Sequence, residues 1–586
     1  MLHYSLTLLP EKHLWQIRFT FDNPHARIQT FSLPNWVPGS YMIRDFSRHI
    51  VNISAECNGR AEPLLQTAKN RWQTAAAAGT WTVSYTVYAF DLSVRASYLD
   101  TQRGFFDGSC LFLKLEGSEH LPHRLTIENL PQTWQCATTL PRCGQNTEFQ
   151  TASYAELTDH PVELGRIETL HFTARGIPHR IALSGNYADF DRERLVSDAQ
   201  RICETALTMF PEPAPFEEYL FLLYLGDNIY GGLEHISSTA LHADRNCLPQ
   251  SGMGGADEAY TQLLGLISHE YFHAWNVKSI KPAVFQPYRS DNESYTEQLW
   301  AFEGITSYYD DLILVRSGVI TPEAYLNLLA RNITRVQQGK GRLQQTLAES
   351  SFAAWHKYYK QDENSPNAIV SYYQKGALAA LCLDLLIRKR SGGTHSLDGV
   401  MRQLYRDWLD TGLGIEEKQW QVRCREITGL DLSDFFQTAL YSTEDLPLAD
   451  CLAEFGIELT FAALPRSHGG GFCTQMPSAP PAADFGARHT QQNSGIVLNQ
   501  VFSDGSAEAA GLSARDTIIA LNGFACTDFA AQWARLAVGE TVRLHYFRQG
   551  FLYETDLTVQ AAEADTALLR LRDTEAAAAW LGSRTD

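Results

Sequence analysis

The sequence predicts a multidomain α+β protein: an all-β N-terminal domain, a mostly helical central body fronted by a small sheet, and a small C-terminal β-type unit. Three observations carry this. Short alternating runs such as Trp15-Gln16-Ile17-Arg18-Phe19 and Trp81-Thr82-Val83-Ser84-Tyr85-Thr86-Val87, punctuated by turn residues, fill residues 1–172. Near residue 190 the period lengthens to that of helices. A Gly- and Pro-rich break, Pro465 to Ala483, then precedes a second short β-type region. With 586 residues, 44% apolar and 11% aromatic, the chain can bury several cores.

Taken in order, the domains are 1–172 (β), 173–450 (mostly helical body), 451–483 (linker or irregular), 484–560 (small β unit) and 561–586 (tail). Asp191 to Met209 places Leu195, Ala199, Ile202 and Ala206 on one helical face. Tyr219 to Leu225 is apolar throughout, as a strand buried on both faces must be. From Glu258 to about Tyr441 nearly everything is helical. His468-Gly469-Gly470-Gly471 and Pro477-Ser478-Ala479-Pro480-Pro481 mark the break, Gly495-Ile496-Val497-Leu498 opens the next unit, and the tail suggests a short helix.

A net charge of -19 argues against nucleic acid and anionic membrane as partners. Eleven cysteines, scattered singly without a C-x-x-C pair, fit reduced thiols rather than a disulfide framework. Pro10, Glu11 and Lys12 interrupt the N-terminus too early for a secretion signal, and the most apolar stretch, Ala377 to Ile387, is short and contains Asp384. The expectation is a soluble, cytoplasmic protein.

The chemistry lies in His269-Glu270-Tyr271-Phe272-His273, an H-E-x-x-H motif within the helix-like run Leu263 to Asn276. Histidines four apart share one helical face and can reach one ion, while Glu270 leans over the same edge as a base for metal-activated water. Leu263, Leu264, Ile267, Tyr271 and Ala274 form a separate apolar stripe, leaving the histidine face to line a cleft. That is the layout of a zinc peptidase. A catalytic zinc needs a third protein ligand. Of the acids around the next helix, Ser294 to Arg316, Glu293 lies outside it and Glu297 completes an S-x-x-E capping box with Ser294. Glu303, between Phe302 and Gly304, sits mid-helix in an apolar setting where a metal would offset the cost of a buried carboxylate. It is the favoured ligand.

These residues, His269 to Asn276 followed by Leu299-Trp300-Ala301-Phe302-Glu303-Gly304-Ile305-Thr306-Ser307-Tyr308-Tyr309, resemble the glycyl aminopeptidase family, gluzincins distantly related to aminopeptidase N. Trp36-Val37-Pro38-Gly39-Ser40-Tyr41-Met42-Ile43-Arg44-Asp45 resembles that family's N-terminal signature. The resemblance implies a thermolysin-like catalytic domain and one Zn2+ per chain. The substrates it implies are peptides with a free N-terminus, with a preference for Gly or Ala there. In Gly231-Gly232-Leu233-Glu234-His235 it implies that the glycines admit substrate backbone and that Glu234 takes the α-ammonium. His235 then serves packing or supports the site instead of ligating metal. In Tyr373-Gln374-Lys375-Gly376 it implies that Tyr373, or failing that Tyr372, stabilises the oxyanion. Ser307 stands where some relatives place a carboxylate that orients a ligand imidazole. Residues 495–523 resemble a PDZ domain, which implies a peptide C-terminus bound at the loop Phe485-Gly486-Ala487. The alternatives are a PDZ-assisted zinc endopeptidase acting on unfolded chains and a non-enzymatic peptide-binding scaffold.

Overall fold

The computed structural model describes residues 2–145, 147–476 and 480–582, so Pro477, Ser478 and Ala479 of the Pro-rich run lie outside the described residues. The chain divides into two compact units, Met1–Ser294 with Met401–Glu416, and Tyr295–Val400 with Glu417–Asp586. No helix among the described residues is long and apolar enough to cross a membrane. None of the eleven cysteines forms a disulfide.

The first unit begins with a β-rich region. Strand Leu2–Leu9 alternates buried and half-buried residues, with Leu2, Tyr4, Leu6 and Leu8 facing inward. Its neighbour Leu14–Asn23 repeats the pattern with Trp15, Ile17, Phe19 and Phe21. The period of two therefore lays one apolar face of a seven-stranded sheet against the core. Two four-stranded sheets complete this region.

In one of them Arg103 meets Glu163 through two parallel bonds, Nε to Oε1 at 2.6 Å and Nη2 to Oε2 at 2.8 Å. Their side chains are only 7% and 2% exposed. Breaking such a pair strands a buried charge, so Glu163→Ala should cost about 3–5 kcal/mol of stability. Urea unfolding measures this, and a loss below about 1 kcal/mol would show the pair to be dispensable.

A five-stranded sheet follows, with Tyr219–Gly226 at its centre and parallel to both Ile177–Gly185 and Ser238–Asp244. Flanked on both sides, the central strand is apolar along its length. The short strand Gly231–Glu234 pairs antiparallel with Ser238–Asp244 and forms the sheet edge. Helix Arg192–Met209, capped by Asp191, buries the face that the periodicity marks.

In the second unit, helix formation begins later than the periodicity suggests. The Ser294–Glu297 capping box does not form. Instead Thr296 donates to Glu417 at 2.5 Å and Tyr441 to Glu297 at 3.4 Å, so tertiary partners hold this segment out of the helix. A π-helical turn, Trp300–Gly304, leads into helix Ile305–Arg316. Helix Gln374–Arg390 crosses it backbone against backbone. A Cβ on Gly304 would lie 2.6 Å from the Gly376 main chain, which is why both positions are glycine.

The 451–483 segment is not irregular, and the tail is not merely a helix. Ile457–Ala462, Thr566–Leu571 and Gly471–Phe472 form a three-stranded sheet with the tail strand central. The tail's Ala567 amide donates to Thr334 of helix Pro322–Gln338 at 2.9 Å, and Trp580 donates to Tyr308 at 2.8 Å. Partners about 100 residues apart or more leave no local pattern to read. Between these strands, Ala487–Gln492, Gly495–Val501, Thr517–Leu521, Phe524–Ala525, Thr541–Arg548 and Phe551–Thr558 form a separate six-stranded sheet with its own core.

Candidate metal centre

Helix Glu258–Phe272 starts at Asp257, whose carboxylate accepts the Tyr260 amide at 2.8 Å. Its apolar stripe packs inward: Leu263, Leu264, Ile267, Tyr271 and Ala274 are all buried. Tyr271 anchors that face, bonded to His179 at 2.9 Å and set edge-on to Tyr219. The opposite face then presents His269 and His273 as a pair, their Nε2 atoms 3.1 Å apart. Two Zn–N bonds of about 2.05 Å at a tetrahedral angle would place the nitrogens roughly 3.3 Å apart, so the spacing fits one shared ion. His273 Nδ1 lies 2.7 Å from the Asn276 carbonyl. A carbonyl only accepts, so Nδ1 carries the hydrogen and Nε2 keeps its lone pair for a metal. The helix supplies this partner itself: it ends at Phe272, and the following turn brings the Asn276 carbonyl back under the ring.

Glu270 is buried, and burial pushes its carboxyl up to about 7, the Glu234 charge adding to the rise while His269, His273 and Arg95 oppose it. A carboxyl in that range is suited to taking up and returning a proton near neutrality. Its Oε2 has no hydrogen-bond partner among the described residues, and neither does Oε1 of the buried Glu234. Orphan buried oxygens are costly and point to absent partners. Glu234, Glu270 and His273 each offer an atom within 4.8 Å of the others.

The edge strand owes its glycine to this crowding. A Cβ on Gly232 would lie 2.0 Å from Glu270 Oε1. Gly39, at φ +92°, plays the same part on the other side, since a Cβ there would stand 2.5 Å from both Glu234 oxygens. The Trp36–Asp45 motif thus presses main chain onto the carboxylate. Gly231 has more room, with Arg95 as its nearest neighbour at 3.6 Å.

Sequence reasoning missed Arg95, which lies in a loop of the β-rich region and donates Nη2 to the Gly232 carbonyl at 2.9 Å. Nothing in its local pattern marks it. Also missed were Asp159 and Lys278, bonded at 2.6 Å. His235 joins them, with Nδ1 3.2 Å from Asp159, in a role that supports its neighbours.

In the second unit, Glu303 sits in the π-helical turn and is 2% exposed. π-turns recur at functional sites because they push one side chain out of helical register. Tyr373 precedes helix Gln374–Arg390, one turn from the Gly376 contact with Gly304. That crossing sets the phenol within electrostatic range of Glu303. Burial first, and then the Glu303 charge, hold Tyr373 well above the usual phenol range, so it remains a proton donor. Tyr372 is fully buried. Phe485 is buried against Phe529 and Trp533, with ring centroids 4.9 Å away in each case. Gly486, at φ +72°, turns the chain against Gly505.

The model of the M61 N-terminal domain matches residues 3–166, and that of the M61 glycyl aminopeptidase matches residues 262–379. The crystal structure of an aminopeptidase N family protein from Idiomarina loihiensis is 39% identical, covers 99% of this chain and 100% of its own, and superposes with a TM-score of 0.93. The chain belongs to the M61 family of metallopeptidases. An M1 zinc metallopeptidase from Deinococcus radiodurans is 13% identical over 76% of this chain and 94% of its own, with a TM-score of 0.47. No curated protein matches. The M61 chain is therefore an enzyme, which removes the scaffold alternative.

Proposed function

We propose that this M61 peptidase is a zinc-dependent aminopeptidase that releases small N-terminal residues, Gly or Ala, from peptides. His269, His273 and Glu303 would hold the ion: two imidazoles and a carboxylate are a donor set suited to catalytic zinc. Bound there, zinc would polarise the scissile carbonyl and lower the pKa of water from 15.7 to about 7. Glu270 takes the proton from the attacking water and returns it to the leaving amine. Tyr373 donates to the developing oxyanion, a contribution of about 3 kcal/mol for a preorganised donor.

One observation carries the exopeptidase assignment. The carboxylate of Glu234, whose Oε1 has no hydrogen-bond partner among the described residues, offers an atom within 4.8 Å of Glu270 and His273. An α-nitrogen and its own carbonyl carbon are about 2.5 Å apart, so there is room for one residue between the amine site and the point of attack. Gly231 and Gly232 let that residue's backbone approach the edge strand. The preference for small residues rests on the likeness to glycyl aminopeptidases.

The six-stranded sheet of residues 487–558 is read as a PDZ-like module. Its edge strand Ala487–Gln492 lies in the same core as helix Phe529–Trp533, as a groove for an added strand requires. The Phe485-Gly486-Ala487 loop would take a peptide C-terminal carboxylate.

The test is hydrolysis of glycyl and alanyl anilides. A chelator should abolish activity and zinc restore it, and N-acetylated substrates should react at least about 100-fold more slowly, as befits loss of a buried charge pair. Equal cleavage of acetylated and free substrates, or internal cuts in an unfolded chain, would overturn the assignment.

A further inference from the structure

We infer that Asp159 is a positioning residue that holds the Lys278 ammonium away from Glu234, leaving that carboxylate open to the substrate's own ammonium. This rests on the amine-binding role proposed for Glu234.

Glu234 ends the edge strand, and the chain then turns through His235 to Ser238, closed by the His235 amide donating to the Ser238 carbonyl at 2.9 Å. That tip is docked on residues of the β-rich region. Asp159 Oδ2 accepts the Ile236 amide at 3.3 Å, and Oδ1 lies 3.2 Å from His235 Nδ1. Ser237 donates to Thr139 at 2.9 Å, and Asp107 stands 3.8 Å from the far side of the His235 ring. Asp159 Oδ1 also receives Lys278 Nζ at 2.6 Å. Lys278 comes from the turn after the metal-binding helix, where its amide donates to the His273 carbonyl at 2.9 Å. One carboxylate therefore joins three parts of the site: the β-rich region, the tip that carries Glu234, and the turn that follows His273.

The charges explain why such a device is needed. Lys278 has a side chain only 5% exposed. Its ammonium is held by the Asp159 carboxylate at 2.6 Å. A buried cation needs an anion. Asp159 satisfies it now, and the same carboxylate holds the Ile236 amide two residues beyond Glu234, while the Lys278 amide is bonded to His273, which itself offers an atom within 4.8 Å of Glu234. Remove the Asp159 charge and Lys278 turns to Glu234, where it competes with the substrate for the same oxygen. Sequence spacing gives no hint of this, since Asp159 and Lys278 are 119 residues apart.

The test is kinetic, on glycyl anilide with zinc-loaded enzyme. Asp159→Asn should raise KM at least about tenfold and change kcat less than about threefold, the pattern of lost binding rather than lost chemistry. Adding Lys278→Met should bring KM back to within about threefold of the parent, because the competitor is gone. A merely structural role for Asp159 would make the double variant as impaired as the single one or worse. That result, or an unchanged KM in Asp159→Asn, would overturn the inference. If Asp159→Asn does not fold, the double variant decides alone: a KM near that of the parent supports the inference, and a KM raised tenfold overturns it. Glu234→Gln is the control. If it keeps full preference for free over acetylated substrate, the amine role of Glu234 fails. If it loses that preference while Asp159→Asn leaves KM unchanged, only the present inference fails.

Discussion

Glu270→Gln is expected to lower kcat by about 10³-fold, within the 10²–10⁴ range for a positioned general base, while zinc content stays at that of the parent. The substitution keeps size and shape but removes the proton acceptor. Glu270 is buried at the sheet edge and is not one of the three ligands proposed, so its loss should leave the metal in place. Steady-state kinetics paired with metal analysis separate the two effects. A loss below about tenfold, or zinc lost together with activity, would assign Glu270 to structure instead.

Gly232→Ala should separate activity from stability in the opposite sense to most core substitutions. A Cβ there would lie 2.0 Å from Glu270 Oε1 and 2.4 Å from its Cδ. What gives way is the flexible end of the Glu270 side chain. A base displaced by about 1 Å costs on the order of 100-fold in rate, whereas alanine in place of glycine in a strand favours folding by roughly 0.5–1 kcal/mol. We expect kcat/KM to fall by about that factor with Tm unchanged or raised. Full activity in Gly232→Ala would mean that the edge strand does not constrain the base.

How much of this was legible beforehand depended on how local each feature is. The two histidines and Glu270 are readable because an i, i+4 spacing on one helix is itself the geometry. The buried central strand Tyr219–Gly226 is readable because its surroundings demand an apolar run, and the β-rich start because alternation marks a half-buried strand. The Ser294–Glu297 cap fitted its motif and still lost to tertiary bonds from Glu417 and Tyr441. The sheet joining Ile457–Ala462 to Thr566–Leu571 was read as linker and tail, since pairing across that separation leaves no mark on either segment alone. Arg95, Asp159 and Lys278 were invisible for the same reason. Gly39 shows the middle case: its motif stood out, but its physical reason, contact with Glu234, needed the fold.

The central claim is that His269, His273 and Glu303 hold a single zinc beside Glu270. Anomalous diffraction at the zinc edge, from crystals of the Glu270→Gln variant grown with zinc, tests this most directly. The account predicts one strong peak about 2.0–2.2 Å from both Nε2 atoms and from a Glu303 carboxylate oxygen. A peak bonded elsewhere, or Glu303 turned away from an ion held by the two histidines, would contradict it.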